Sequence, residues 1–164
     1  MSPVRAKRAS RHSARAKPTK KSSFSSVHFH SDRQDWSTPQ ELFDRLNDEF
    51  DLIWDVCATT QNAKLPLYWT PEIDGLSADW RGKQVFCNPP YSQTAQWVEK
   101  CATSGAEVCV LLIPARTDTT YFHQHIYNNP RAEIRFIKGC LKFGDAQNSA
   151  PFPSMLVIFR NEQS

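Results

Sequence analysis

The longest apolar run of the chain, Val108 to Pro114, places the strongest constraint on the fold. It is much shorter than the roughly 18 apolar residues that a membrane-spanning helix needs, and no other stretch approaches that length. A short apolar run that ends in a proline is typical of a buried strand. We therefore expect a globular protein that does not bind a membrane. A length of 164 residues is sufficient for one domain with a hydrophobic core.

The first predicted element is a helix from Pro39 to about Phe50. Thr38 is predicted to cap it, and Glu41 completes a T-x-x-E capping box with Pro39 in the first helical position. One face of this helix is apolar at helical spacing, which indicates that it packs on the core. The residues of this face are Leu42, Phe43, Leu46 and Phe50.

The rest of the chain alternates between strand-like and helix-like segments. Strands are predicted at 51–57, 83–87, 107–113, 133–137 and 154–160, and helices at 92–102 and 118–128, with no assignment for 61–81. In the helix 92–102, Ala95, Val98 and Cys101 are expected to face inward. This order predicts an α/β sheet covered by helices on both faces. In such sheets, ligands bind beyond the carboxyl ends of the strands.

Charge divides the chain near residue 31. Residues 1–31 contain eight lysines and arginines and no acidic residue, which leaves 12 basic and 17 acidic residues in the remainder, a net charge of −5. We therefore predict a basic disordered tail at 1–31 and a folded domain at 32–164. A cationic tail of this kind binds the phosphates of nucleic acid, although a solubilising end is the alternative interpretation.

The five cysteines are scattered and form no C-x-x-C pair. This usage is typical of reduced thiols in the cytoplasm rather than of a disulfide framework. The histidine pairs at 28/30 and 123/125 lack cysteine or carboxylate partners at metal-binding spacing, so we expect no metal site.

The segment 88–91, Asn-Pro-Pro-Tyr, follows a predicted strand. An amine on an aromatic ring is a poor nucleophile, because its lone pair is delocalised. The side-chain oxygen of Asn88 and the backbone oxygen of Pro89 can each accept one amine hydrogen, which frees the lone pair for attack. Pro90 stiffens the turn, and Tyr91 offers a face for base stacking. The alternative interpretation is a strand terminator with a packed tyrosine.

Two further segments lie where a cofactor is expected. The first, D-V-C-A at 55–58, ends a strand with a carboxylate beside small residues, which let a ligand approach the backbone. The second, W-S-T-P at 36–39, precedes a helix whose N-terminus attracts anionic groups. An ordinary helix start explains the second segment equally well.

Together, and in their order along the chain, these segments resemble those of the phage-type DNA adenine N6-methyltransferases, which are small single-domain enzymes related to the Dam methylases. The resemblance runs from about Asp35 to Phe159. It rests on the segments above together with N-A-K at 62–64, D-G-L at 74–76, D-W at 79–80, V-F-C-N-P-P-Y-S at 85–92, L-I-P-A-R-T-D-T at 112–119, L-K-F-G at 141–144 and A-P-F-P-S at 150–154.

The resemblance implies a single-domain Rossmann-like sheet that uses S-adenosylmethionine to methylate the N6 amine of adenine in DNA, in the cytoplasm of a prokaryotic or phage-infected cell. The implied catalytic residues are Asn88, Pro89, Pro90 and Tyr91. The implied cofactor-binding residues are Trp36, Thr38, Pro39, Asp55, Cys57, Ala58, Asp79 and Asn88. The implied substrate-binding residues are Tyr91, Ser92, Arg116 and Lys142.

The chain departs from the family pattern at one position. Where K-G-R-L-K-F is expected, it has Cys140 in place of the arginine. Two alternatives to the main hypothesis stay open from the sequence. An N-methyltransferase acting on RNA guanine or a protein glutamine would also suit Asn-Pro-Pro-Tyr, and a catalytically inactive nucleic-acid-binding protein would explain the basic tail.

Overall fold

The computed structural model describes residues 37–143 and 149–161. The predicted tail with its boundary near residue 31, and Trp36, lie outside the described residues. Within them, the elements in chain order are α1 (Gln40–Phe50), β1 (Trp54–Asp55), β2 (Leu67–Tyr68), β3 (Gln84–Cys87), a 3-10 helix (Tyr91–Gln93), α2 (Thr94–Thr103), β4 (Val108–Pro114), a π-helical turn (Phe122–Ile126), β5 (Ala132–Phe136) and β6 (Ser154–Arg160).

The six strands form one mixed sheet in the order β2-β1-β3-β4-β6-β5. Strands β1 to β4 are parallel, and β6 runs antiparallel to both of its neighbours. Asp55 pairs with Phe86 across β1 and β3, and Cys87 pairs with Leu111 across β3 and β4. The carboxyl ends of the four parallel strands therefore lie along one edge of the sheet, where ligands bind in α/β proteins.

Apolar side chains cover both faces of the sheet. On one face, α1 packs through Leu46 and Phe50 in a cluster that includes Phe86 of β3. On the other face, α2 packs through Trp97 and Val98 in a cluster that includes strand residues of β3, β4 and β6. The central strand β4 is buried along its whole length, and successive side chains contribute to opposite clusters. The predicted α/β sheet with helices on both faces is thus confirmed.

The predicted capping box at the start of α1 is wrong. The helix begins at Gln40 and its cap position is Pro39, and no side chain of the described residues caps the helix backbone. The hydroxyl of Thr38 instead accepts a hydrogen bond from the Asn88 side chain, 50 residues further along the chain. A tertiary partner has therefore taken the place of the local contact that the T-x-x-E pattern predicts.

Three other expectations differ from the structure. The strand predicted at 51–57 is shorter, with strand structure only at Trp54–Asp55, and the helix predicted at 118–128 is helical over 120–126, of which the last five residues form the π-helical turn. Ala95 is exposed, because Trp97 and Val98 turn the buried side of α2 toward the sheet. The unassigned stretch 61–81 contributes the edge strand β2, which pairs with β1.

Candidate active site

The larger of two neighbouring cavities lies at the carboxyl ends of β1, β2 and β3. Its volume is about 390 Å³, which falls within the range of about 300–1,000 Å³ that small-molecule sites occupy. The residues that line it are Val56, Cys57, Ala58, Thr59, Asn62, Trp69, Thr70, Pro71, Asp74, Gly75, Leu76, Asn88, Pro90, Gln93 and Trp97. We call it the aromatic cavity, since two tryptophans form part of its wall.

Four tryptophans form a row beside this cavity. The ring centroids of Trp54 and Trp69 are 4.8 Å apart, and those of Trp69 and Trp80 are 6.5 Å apart. Trp80 and Trp97 continue the row at 6.2 Å. The row brings together β1, the segment after β2 and helix α2, and it presents Trp69 and Trp97 to the cavity.

Gly75 brings the segment after β2 unusually close to β1. A Cβ atom at this position would lie 2.2 Å from the backbone oxygen of Val56, a distance that no side chain tolerates. The indole Nε1 of the buried Trp80 donates to the Gly75 backbone oxygen at 2.8 Å, which holds the segment in place. The close approach explains why a glycine is needed in this wall of the aromatic cavity.

The smaller cavity is polar and adjoins the aromatic one. Its volume is about 30 Å³, and it is lined by Ser37, Thr38, Asp55, Cys57, Asn62, Lys64, Asn88 and Pro89. Cys57, Asn62 and Asn88 line both cavities, so the two meet at these residues. We call it the polar cavity.

Asp55 is the main charged group of the polar cavity. Its side chain is only 3% exposed, and its Oδ2 accepts a hydrogen bond from the backbone N–H of Lys64 at 3.0 Å. Its Oδ1 is buried and has no hydrogen-bond partner among the residues that the structure describes. Burial raises the pKa of this carboxyl from 3.8 to about 6, although the backbone N–H groups of Lys64 and Cys57 lower it in part. A buried carboxylate oxygen of this kind suits a cationic ligand group.

Lys64 adds a positively charged residue to the lining of the same cavity. Its Nζ donates to Oε1 of Gln40 in the first turn of α1 at 3.0 Å, while its backbone N–H holds Asp55. The polar cavity therefore carries one acidic and one basic group, which is the arrangement that a zwitterion requires.

Asn88 follows β3 and stands between the two cavities. Its Nδ2 donates to Oγ1 of Thr38 at 3.0 Å, and Thr38 is itself 3% exposed. Pro89 is buried and Pro90 is half-buried. Each proline restricts its own backbone rotation, so the segment after β3 has little freedom to move.

Tyr91 packs against an aromatic ring from the far end of the chain. Its ring centroid is 5.0 Å from that of Phe152, and the two planes are nearly perpendicular at 89°. Edge-to-face contact is a favoured geometry for aromatic pairs. Burial raises the pKa of the Tyr91 hydroxyl well above its usual value, so the ring stays neutral at physiological pH.

The structure brings many of the predicted site residues together. Those that line one or both cavities are Thr38, Asp55, Cys57, Ala58, Asn88, Pro89 and Pro90. Tyr91 directly follows this group, and Pro39 directly follows Thr38. The sequence analysis assigned no role to Lys64, Trp69, Gly75, Trp97 or Phe152.

Four predicted residues are not brought to either cavity. Asp79 is exposed and forms an ion pair with Arg81 at 2.8 Å. Arg116 follows the carboxyl end of β4 but is exposed and pairs with Asp118 at 3.1 Å. Ser92 and Lys142 are also exposed. Exposed side chains such as these suit contacts with a macromolecule better than contacts with a buried cofactor.

The described parts of the chain contain neither a metal-binding cluster nor a helix that could span a membrane. Over 37–143 and 149–161, no group of three or more His, Cys, Asp or Glu side chains is close enough to hold a metal ion. Among the helices in the same ranges, none has the length and apolar character needed to cross a membrane.

Comparison with known proteins identifies the class of protein that carries this site. Residues 25–164 match the family described as DNA N-6-adenine-methyltransferase (Dam), and the chain belongs to that family. One relative, the DNA N-6-adenine-methyltransferase of Haemophilus phage HP1 (strain HP1c1), is 30% identical over 142 residues, which cover 79% of this chain and 80% of the relative. The predicted family, enzyme class and reaction, methylation of adenine N6 in DNA, are therefore confirmed.

Proposed function

We propose that the protein binds S-adenosylmethionine across both cavities, with Asn88 between the two ends of the cofactor, and that residues 88–91 present the adenine amine to it. The single observation that carries this proposal is the position of Asn88, which lines both cavities and begins the rigid turn after β3. In this interpretation, the sheet is a Rossmann-like methyltransferase sheet that binds its ligand beyond the carboxyl ends of parallel strands.

The polar cavity suits the amino-acid end of the cofactor. The Oδ1 atom of Asp55 is a buried acceptor without a partner among the described residues, and an ammonium group would supply both a hydrogen bond and the opposite charge. Lys64 lines the same cavity and offers its positive charge to the carboxylate. Binding of an ammonium group would also lower the pKa of Asp55, because the added positive charge favours the ionised carboxyl.

The aromatic cavity suits the adenosyl end. Trp69 and Trp97 provide flat apolar surfaces for a purine, and Ala58 and Gly75 leave room for it close to the backbone. Asn62 and Asp74 place polar side chains in the wall of this cavity, where the ribose would lie. An apolar wall with a few polar groups is the usual composition of a small-molecule site.

When bound, S-adenosylmethionine would supply an activated methyl group: the amine nitrogen would form a bond to the methyl carbon, the electron pair of the methyl–sulfur bond would pass to sulfur, and one amine proton would be lost to solvent. The side-chain oxygen of Asn88 and the backbone oxygen of Pro89 each accept one amine hydrogen and orient the nitrogen lone pair. The adenine must leave the duplex stack, at a cost of a few kcal/mol, and it then stacks on Tyr91. Phe152 holds that ring from the side.

DNA contacts beyond the target base are proposed for the exposed basic groups. Arg116 and Lys142 are available to phosphates, and the eight basic residues of 1–31 add salt-sensitive affinity. Replacing those eight residues by serine should weaken DNA binding and flatten its dependence on salt. Since the substrate is DNA and the five cysteines are free thiols, we infer that the enzyme acts in the cytoplasm.

The proposal is tested by incubating the full-length protein with unmethylated genomic DNA and methyl-labelled cofactor, followed by digestion of the DNA to nucleosides. We expect the label in N6-methyladenine. Asn88→Ala should lower the single-turnover rate by about 10²–10³-fold while the cofactor affinity changes little. Gln96→Ala, an exposed substitution on α2, is the control and should match the parent. The parent rate in Asn88→Ala would contradict the role of Asn88.

A further inference from the structure

The hydrogen bond from Asn88 to Thr38 joins the segment before α1 to the turn after β3. Thr38 immediately precedes the cap position of α1, where a threonine hydroxyl commonly binds the helix backbone. No side chain within 37–143 or 149–161 caps this helix, and the Thr38 hydroxyl is buried against the turn that follows β3. Its Oγ1 accepts from Nδ2 of Asn88 at 3.0 Å.

The two ends of an asparagine amide are chemically opposite. The oxygen accepts hydrogen bonds and the nitrogen donates them, and rotation about the last side-chain bond exchanges their positions at little cost. The proposed reaction needs the oxygen of Asn88 at the target amine. If Nδ2 of Asn88 faced the target amine instead, both groups would be hydrogen-bond donors, and the amine lone pair would not be freed for attack.

We propose that Thr38 is a positioning residue whose hydrogen bond limits the rotation of the Asn88 side chain and keeps its amide where the target amine binds. While Nδ2 donates to Thr38, Oδ1 lies on the opposite side of the amide carbon, where it can accept from an incoming amine. Thr38 touches neither the amine nor the methyl group in this role, and acts only through Asn88. The inference rests on the catalytic role that the proposed function gives to Asn88.

This role differs from the cofactor contact that the family resemblance implies for Thr38. Thr38 does line the polar cavity together with Asp55, so a contact with the cofactor is compatible with its location. The two roles affect different measured quantities. A cofactor contact changes the dissociation constant of S-adenosylmethionine, whereas positioning of Asn88 changes the rate of methyl transfer at saturating cofactor and DNA.

The test compares Thr38→Val, which replaces the hydroxyl by a methyl group of similar size, with Thr38→Ser, which keeps the hydroxyl. Thr103→Val on the exposed end of α2 is the matched control, since its hydroxyl also makes one hydrogen bond, to the backbone oxygen of Glu99. Single-turnover rates are measured on unmethylated genomic DNA, and cofactor affinity is measured by calorimetric titration, which also shows that each variant is folded.

We expect Thr38→Val to slow methyl transfer by about tenfold, the effect of losing one net hydrogen bond, with the cofactor affinity unchanged. Thr38→Ser and Thr103→Val should retain the parent rate. In the Asn88→Ala background, Thr38→Val should have no further effect on the rate, because no amide remains to be oriented. Thr38→Ala provides the same comparison with Thr38→Ser if the valine variant does not fold.

Three results would overturn the inference: the parent rate in Thr38→Val, an equal loss of rate in Thr38→Ser, or a loss of cofactor affinity that accounts for the whole effect. Each of these leaves Asn88→Ala as an independent measurement. If Asn88→Ala is slow while Thr38→Val matches the parent, only the role of Thr38 is wrong. If Asn88→Ala itself has the parent rate, the proposed function of the turn fails as well.

Discussion

The two cavities around Asn88 differ in how they are built. The polar cavity depends on a few buried groups, above all Asp55, whose Oδ1 has no hydrogen-bond partner within the part of the chain that the structure describes. The aromatic cavity is about 390 Å³ and spreads its surface over several apolar side chains, including Trp69 and Trp97. When a buried charge is removed, no neighbouring group can replace its contribution to the binding free energy. When one apolar side chain is removed, the other apolar side chains of the cavity still contribute theirs. Single substitutions should therefore have larger effects in the polar cavity than in the aromatic one.

The largest effect is expected from Asp55→Asn. This change keeps the shape of the side chain and removes its charge, so the cofactor ammonium loses its buried partner. Truncation of one side of such a pair costs about 2–5 kcal/mol, and we expect the dissociation constant of S-adenosylmethionine to rise by about 100-fold in a calorimetric titration. An unchanged affinity would mean that Asp55 does not contact the cofactor.

The pH dependence of binding should also reflect Asp55. The pKa of its carboxyl is raised to about 6 in the unliganded protein, and the cofactor prefers the ionised form. Affinity should therefore be constant above pH 6 and fall by about tenfold per pH unit below it. The measurement is a titration series at pH 5 to 8, with Asp55→Asn as the control that lacks this dependence. If the affinity of the parent did not change with pH, Asp55 would not form the proposed charge pair with the cofactor ammonium.

The raised pKa of Asp55 affects the stability of the unliganded protein in the opposite direction: ionisation of Asp55 favours cofactor binding but disfavours folding. Because the folded-state pKa lies above the unfolded value of 3.8, the contribution of Asp55 to stability is fully present below pH 3.8 and is lost as the pH rises through about 6. The free energy of unfolding falls by about 3 kcal/mol at most for this reason, and Asp55→Asn, which has no ionisable group at this position, does not lose it. Urea unfolding without cofactor should thus find the variant more stable than the parent at pH 8, with a smaller difference at pH 4.

A smaller effect is expected from Trp69→Ala in the aromatic cavity. Stacking of a base on an aromatic ring is worth about 1–3 kcal/mol, and the remaining wall keeps Trp97, so cofactor affinity should fall by about tenfold. Trp69→Phe retains a flat ring and should recover most of this loss. If the two variants bound the cofactor with equal strength, stacking on Trp69 would not be part of recognition.

The smallest effect is expected from Asp79→Asn, although the family resemblance implies a cofactor contact for this residue. Its side chain is exposed and paired with Arg81, away from both cavities. Cofactor affinity should equal that of the parent in the same titration, which makes this variant the matched control for Asp55→Asn. A weakened affinity would show that the segment after Asp79 rearranges when the cofactor binds.

Local sequence was sufficient to predict the turn after β3. An apolar strand followed by two prolines has few conformations available, and its place at the end of a parallel strand follows from the order of elements. The position of Asp55 at the end of a strand was predicted in the same way. In both cases the prediction depended on residues adjacent in sequence.

The remaining parts of the site depend on contacts between distant residues. Thr38 fits a local helix cap, yet its partner is Asn88. The wall formed by Trp69 and Gly75 lies in a stretch without periodicity, because its order comes from pairing with β1 and from the bond between Trp80 and the Gly75 backbone. No regular spacing in the sequence signals contacts of this kind. The N-A-K and D-G-L segments belong to the family pattern, but only the structure shows where they lie in the site.

The division of the cofactor between the two cavities is tested most directly by comparing two ligands. S-adenosylmethionine contains both ends, whereas 5′-methylthioadenosine lacks the amino-acid end. We predict that Asp55→Asn weakens binding of S-adenosylmethionine only, and that Trp69→Ala weakens both ligands by the same factor, as measured by calorimetric titration. Equal losses for both ligands in Asp55→Asn would contradict the account, since Asp55 would then not act on the amino-acid end.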